Sequence, residues 1–153
     1  MRLALYQPDQ AGNVGTILRL AACLGVAVDI IEPCGFAFSD RALRRAGMDY
    51  LEIAAARRHA GWEAFEAELS GRLVLLTTQG DQPLLSATLR TTDTLLLGSE
   101  SRGVPAPVHG RADLRIHIPQ VAGTRSLNIA VAAGIALAEA LRQTGGWPDD
   151  RVG

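Results

Sequence analysis

Lysine is absent from this 153-residue chain, so all fifteen basic side chains are arginines. That bias fits a demand for forked, phosphate-matching donors or the codon habit of a GC-rich genome, and codon habit is the favoured reading. Excess charge is also missing. The formal net charge is -1, which excludes a molecule-wide attraction to nucleic acid and leaves any such surface to a local patch. Cysteine is scarce: Cys23 and Cys34 stand eleven positions apart, with no CxxC pair and no histidine at ligand spacing. Neither a zinc site nor a disulfide framework is indicated, and a reduced, cytoplasmic setting is expected. Long apolar runs are lacking too. The most apolar segment, Leu127 to Ala138, falls short of the roughly 20 residues that cross a bilayer as a helix, so no membrane association is expected. The opening MRLALYQPDQ lacks the apolar stretch and cleavage site of a signal peptide, and secretion is not supported.

What is present is enough apolar material, 48% of the residues, for one sizeable core. A single domain is expected over 1–145, with a short, loosely held tail over 146–153. Arg2 to Tyr6 reads as a strand, followed by a Gly-rich turn and a helix over Gly12 to Leu24, with Ile17, Leu18, Ala21 and Leu24 on one face. Val26 to Ile31 is a second β-branched run closed by Glu32-Pro33; after the loop with Phe36 and Phe38, Asp40 to Ala46 reads as a short helix. Leu51 to Ala54 reads as a brief strand, Trp62 to Leu69 as an amphipathic helix, and Leu73 to Thr77, Thr94 to Leu97 and Arg115 to Ile118 as further strands. Apolar runs alternating with helical stretches imply an α/β fold: a mostly parallel sheet with helices on both faces.

In such sheets ligands bind where the carboxyl ends of strands deliver their loops. Three loops stand out: Leu76 to Gly80, Gly98 to Pro105, and Ile118 to Ser126. Each mixes glycine with small hydroxyl or amide residues, so that backbone can approach a flat ligand closely. From Leu127 to Ala138 the only polar side chain is Asn128. A helix without a solvated face must lie inside the domain or pack on a partner through small residues such as Ala130, Ala133 and Gly134, and a homodimer interface is the favoured reading. Ser126 stands where the N-cap of this helix is expected, with Asn128 in its first turn, aimed at a ligand or the facing subunit. A nicotinamide-dependent oxidoreductase is the rival enzyme class, because the first strand, turn, helix and second strand ending in Glu32 loosely mimic a dinucleotide fold. Gly12 and Gly15 give GxxG rather than GxGxxG, and Pro8 separates strand from turn, which argues against it.

Three segments carry a resemblance: Asn13-Val-Gly-Thr-Ile-Leu-Arg19, Leu97-Gly-Ser-Glu-Ser-Arg-Gly-Val-Pro105 and Ile118-Pro-Gln-Val-Ala-Gly-Thr-Arg-Ser-Leu-Asn128. In this order they resemble the three motifs of the SPOUT RNA 2′-O-methyltransferases. The compact length, Ile31-Glu-Pro-Cys-Gly-Phe36 and Leu43-Arg-Arg-Ala-Gly-Met-Asp-Tyr50 narrow the likeness to the branch acting on the wobble nucleotide of leucine tRNAs. The chain departs from that branch at Ile129-Ala-Val-Ala, in place of a more polar run, and at Ala138, in place of an aromatic residue.

The resemblance implies a carboxyl-terminal deep trefoil knot, a homodimer, S-adenosylmethionine as methyl donor with S-adenosylhomocysteine as product, no metal, and tRNA as substrate. It implies that Leu76, Thr77, Gly98, Glu100, Ile118, Ser126 and Leu127 hold the donor, so a branched residue at Gly98 is expected to fill the adenine slot. Asn13, Arg19, Glu100, Ser126 and Asn128 are implied at the methyl transfer. No histidine lies inside the motifs; His59, His109 and His117 fall outside. Since a guanidinium stays protonated, Arg19 is assigned an electrostatic role, on a phosphate and on developing alkoxide. Plainer roles stand beside these: Arg19 as a surface helix residue, Asn13 as a turn former, and Glu100 either paired with Arg102 or orienting Asn13 or Arg19. The best basic patch, Arg41, Arg44, Arg45, Arg57 and Arg58, is tempered by Asp40, Asp49 and Glu52 and is read as contacting tRNA backbone. A non-catalytic RNA-binding dimer that kept the fold is the third possibility.

Overall fold

The computed structural model describes residues 1–37 and 54–149. The helix expected over Asp40 to Ala46, the strand expected from Leu51, and Arg41, Arg44 and Arg45 lie outside the described residues. Among the described residues, the elements are β1 (Arg2–Tyr6), α1 (Ala11–Leu24), β2 (Ala27–Ile31), β3 (Arg57–His59), α2 (Trp62–Glu68), β4 (Leu73–Leu76), β5 (Gln82–Pro83), a 3-10 turn (Leu84–Ser86), β6 (Thr94–Leu97), α3 (Ala106–Arg111), β7 (Leu114–His117) and α4 (Ile129–Thr144). The strands form one sheet in the order β3-β2-β1-β6-β4-β7-β5, and each neighbouring pair is parallel.

Both faces are covered, which is why the central strands read as unbroken apolar runs. Successive side chains alternate. Leu3, Leu5, Val28, Ile30, Val74, Leu95 and Leu97 pack with Val14, Ile17 and Leu18 of α1 and Ala133, Leu137 and Leu141 of α4. Ala4, Ile31, Leu73, Leu75 and Leu96 turn the other way, onto Phe65 of α2 and Val108 of α3.

The amino-terminal side of the sheet is tied by carboxylates. Asp93, fully buried, accepts from Arg72 Nε at 3.0 Å and Nη2 at 2.7 Å and from the Arg90 amide at 2.8 Å. Asp113 accepts from the Leu73 amide at 2.8 Å. Within β2, buried Asp29 accepts from Arg2 Nε at 2.6 Å and Nη2 at 2.9 Å and faces His59 Nε2 at 2.8 Å. Burial pushes the Asp29 carboxyl up, but the hydrogen bonds from Arg2 and His59 outweigh it and leave the group below the ordinary carboxylate range. Its contribution is therefore complete above its unfolded pKa of about 4 and is lost as pH falls through the lower native value. Asp29→Asn is expected to destabilise by about 3 kcal/mol at neutral pH, because it leaves the guanidinium without its charged partner. In chemical denaturation the variant should also lose the corresponding part of the acid dependence.

No helix among the described residues is long and apolar enough to cross a membrane. Helix α4 starts two residues later than the apolar run and continues past Ala138 to Thr144, where Gly145 closes it in the left-handed conformation. Its interior placement is partial: Val131 is 51% and Ile135 41% exposed, beside exposed Leu127.

Candidate active site

The carboxyl ends of β4, β6 and β7 open onto a cavity of about 380 Å³, within the size range of small-molecule sites. Its walls are supplied by Leu75 to Thr78, by Leu97 to Glu100 with Gly103 and Val104, and by Ile118, Gln120 and Ser126 to Ile129. Gln10 and Asn13, at the start of α1, and Ala132 of α4 complete it. The three loops singled out from the sequence thus meet in one place.

Strand register brings them there. Leu97 of β6 lies beside Leu76 of β4 and Leu5 of β1, and Leu76 lies beside Ile116 of β7, so the chain leaves these strands at one edge. After Gly98 the chain doubles back: Ser99 N donates to Gly103 O at 3.0 Å and Gly103 N to Ser99 O at 2.8 Å. Gly103 takes φ 65°, a conformation that favours glycine.

A chain of amide and carboxylate groups crosses the cavity. An ionised carboxylate can only accept. Glu100 Oε1 accordingly accepts from Asn13 Nδ2 at 2.9 Å, which leaves Asn13 Oδ1 to accept from Asn128 Nδ2 at 3.0 Å. Asn128 then presents its oxygen to α4, accepting from the Ala130 amide at 2.8 Å and the Val131 amide at 3.4 Å. Each polar end fixes the orientation of the next. Asn128, not Ser126, is therefore the N-cap of α4; the expected cap is two residues too early, because Asn128 satisfies two first-turn donors itself.

Of the residues named from the sequence, Asn13, Glu100, Ser126 and Asn128, with Leu76, Thr77, Gly98, Ile118 and Leu127, line the cavity together. Arg19 does not: it is exposed on α1, outside the lining. Among the described residues no ion pair joins Glu100 to Arg102; Glu100 is turned toward Asn13 and the Asp9 amide. Arg57 pairs with Glu68 and Arg58 with Glu32 at the surface, which reduces the positive charge of that patch. His59 and His117 are engaged elsewhere, His117 Nδ1 lying 3.0 Å from Gly80 O, and no histidine lines the cavity.

Three features were missed from the sequence. Gln10, outside the three loops, adds a polar side chain to the lining, beside Thr78 and Gln120 from within them. Asp9 and Ser101 bind each other at the rim, Asp9 Oδ2 accepting from Ser101 N at 2.8 Å and Oγ at 2.6 Å. Pro8-Asp9, one residue beyond the end of β1, is the one signal that marks this turn. Finally, a Cβ at Gly98 does not enter the open slot: it meets backbone of Gly103 at 2.5 Å, so the glycine is required by the doubling-back of its own loop. The expected filling of a ligand slot is corrected to a clash within the wall.

Among the described residues no cluster of metal-ligating side chains occurs. Cys34 is half-buried, and its thiol is pushed up to about 11 by burial and by Glu32, which leaves it protonated.

Comparison with known proteins places this architecture. The tRNA (cytidine(34)-2′-O)-methyltransferase of Beijerinckia indica is 57% identical over 146 residues, covering 94% of this chain and 91% of the relative. A solved structure described as giving structural insights into the 2-OH methylation of C/U34 on tRNA superposes with TM-score 0.87 at 41% identity, covering 93% of this chain and 94% of that one. An AdoMet-bound rRNA methyltransferase from Sinorhizobium meliloti superposes with TM-score 0.78 at 29% identity, over 92% of this chain and 55% of the other. A family model matches residues 1–138, and the chain accordingly belongs to the SpoU rRNA Methylase family.

Proposed function

We propose that this protein transfers the methyl group of S-adenosylmethionine to the ribose 2′-hydroxyl of the wobble nucleotide, position 34, of tRNA. The observation that carries this reading is the convergence of three strand-end loops on one cavity whose rim bears the fixed Glu100–Asn13–Asn128 chain. The names of the relatives at 57% and 41% identity support position 34 as the site. The finer reading, cytidine or carboxymethylaminomethyluridine in tRNA-Leu isoacceptors, rests on the motif resemblance.

The cavity's size and donor set fit S-adenosylmethionine. Leu76, Thr77, Gly98, Ile118, Ser126 and Leu127 would hold it, backbone and small polar groups meeting the adenine and ribose, with the Glu100 carboxylate as a negative group in a wall facing a cationic ligand. When bound, the donor supplies an electrophilic methyl on a sulfonium, so neither a metal nor a covalent protein nucleophile is needed. The protein's task is to orient the attacking hydroxyl and ease loss of its proton. Asn13 and Asn128, locked by their mutual hydrogen bond, present fixed dipoles there. With no histidine in the lining, no conventional general base is at hand. Arg19 supplies charge from outside the lining: it steadies the neighbouring phosphate of the RNA, and the phosphate assists proton removal.

The assembly we propose is a cytoplasmic homodimer. Exposed Val131 and Ile135 on α4, next to Leu127 in the cavity wall, would be covered by a second copy, which adds apolar burial and places the cavity near the interface. The proposed fold includes a carboxyl-terminal trefoil knot, a reading that rests on the motif resemblance. Arg57 and Arg58, with Arg41, Arg44 and Arg45, would contact tRNA phosphates.

Mass-spectrometric mapping of tRNA nucleosides from cells with and without the protein tests this reading. Loss of one 2′-O-methyl group at position 34 is expected. Loss at another position would make it a different RNA ribose methyltransferase of the same class; unchanged tRNA with retained RNA binding would make it a binder.

A further inference from the structure

We propose that Asp9 is a positioning residue for the methyl transfer: with Ser101 it forms a clasp that holds the Glu100 carboxylate against Asn13. The proposal rests on the reading of the cavity as a methyl-transfer site.

The clasp is reciprocal. The Asp9 side chain accepts from the amide and hydroxyl of Ser101, at 2.8 and 2.6 Å, while the Asp9 amide donates to Glu100 Oε2 at 2.7 Å. The turn after β1 and the loop after β6 are thereby joined by three hydrogen bonds across ninety-odd positions of sequence. A glutamate in a glycine-flanked loop otherwise has several rotamers open to it. With Oε2 fixed by Asp9, Oε1 is the atom left for Asn13 Nδ2, at 2.9 Å. The orientation of Asn13, and through it of Asn128, follows from that anchoring; the bond is main-chain and survives in kind in Asp9→Ala, but the Asp9 carboxylate's grip on Ser101 is what keeps the two loops together and the bond in place.

A third loop backs the clasp. Gly35 N donates to Pro8 O at 2.9 Å, and a Cβ at position 35 would meet Asp9 Cα at 2.9 Å. Gly35 thus packs directly on the Asp9 backbone, where a larger residue would not fit. The hydrogen bonds from the Ser101 hydroxyl and amide hold its carboxyl below the usual carboxylate range, so the acceptor stays charged at neutral pH.

A staple that only stabilised the fold would change activity through the folded fraction alone. A positioning role acts through Glu100 and vanishes when Glu100 is removed. The test is a double-mutant cycle on the full-length protein, with Asp9→Ala, Glu100→Ala and the pair compared in single-turnover methyl transfer to tRNA, alongside S-adenosylmethionine binding and thermal unfolding. Asp9→Ala is expected to slow transfer about 100-fold, as a misplacement near 1 Å does, and to slow it no further than about twofold once Glu100 is alanine. Ser101→Thr, which keeps the hydroxyl, should restore what Ser101→Ala loses. Equal slowing by Asp9→Ala in both backgrounds, or transfer by a folded Asp9→Ala protein within about threefold of the unmodified chain, overturns the proposal. If Asp9→Ala does not fold, Ser101→Ala removes only an exposed hydroxyl and completes the same cycle. Failure of the unmodified protein to bind the donor or transfer methyl would instead remove the functional reading itself, and the positioning role with it.

Discussion

Arg19→Ala is expected to abolish methyl transfer, slowing turnover at least about 100-fold, while S-adenosylmethionine affinity stays within a few-fold. The split follows from where Arg19 stands. It is exposed on α1 and outside the cavity lining. Asn13 lies six residues earlier, about 240° away around the helix at 100° per residue. Removing the guanidinium therefore leaves the lining intact. What disappears is a permanent positive charge available to the RNA, since arginine does not deprotonate in this range. Arg19→Lys should recover part of the rate, because charge is kept while the planar fork is lost. Radiolabelled methyl transfer and donor titration, run on the same preparation, separate the two effects. A variant with near-normal turnover would take Arg19 out of the mechanism.

Gly98→Ala is expected to do the opposite, weakening donor binding at least about tenfold, or 1.4 kcal/mol, and costing about 1–3 kcal/mol of stability through overpacking. The reason is the 2.5 Å approach of an added Cβ to the Gly103 carbonyl carbon. That neighbour is backbone and cannot rotate aside. Relief requires opening the paired hydrogen bonds between Ser99 and Gly103, and the segment that must move carries Glu100 between them. Gly103, in contrast, has free space where a Cβ would go but takes φ 65°, so a substitution there is penalised by backbone conformation rather than by contact. Calorimetric donor titration and thermal unfolding of Gly98→Ala read both quantities. Unchanged affinity would show that this loop is not the wall of the donor site.

The sheet was legible wherever strands are buried on both faces. Arg2–Tyr6 and Thr94–Leu97 coincide with the apolar runs that mark them; Leu73–Leu76 ends one residue before the expected Thr77, and Leu114–His117 is shifted one residue toward the amino terminus from the expected Arg115 to Ile118. Strands at the margins gave no such signal. Arg57–His59 reads as part of a basic patch because its arginines point to solvent and pair with Glu68 and Glu32, and only His59 turns inward to Asp29. Gln82–Pro83 is two residues long, and Ala106–Arg111 contains a proline and a glycine that argue locally against a helix. The apolar run stops at Ala138, short of the end of α4, because the last turns carry Glu139, Arg142 and Gln143; Glu139 and Arg142 bind each other, and Gln143 accepts from the Leu89 amide at 2.8 Å.

The site divides in the same way. Loops rich in glycine and small polar residues at strand ends were visible because their composition departs from that of the core, and all three meet at the cavity. The order of the hydrogen-bond chain was not visible. Whether Glu100 serves Arg102, Arg19 or Asn13 depends on a loop that doubles back through the Ser99–Gly103 pairing, and no spacing rule encodes that. Asp9 was passed over for the same reason: its partner is ninety-two residues away in sequence.

On the proposed function, this cavity receives a sulfonium methyl donor. The decisive experiment is isothermal titration of the purified protein with S-adenosylmethionine, with NAD as the comparison ligand. Saturable binding of one donor per chain, weakened at least about tenfold in Gly98→Ala and absent for NAD, is the expected result. No heat of binding with S-adenosylmethionine, either alone or with tRNA present, would contradict it.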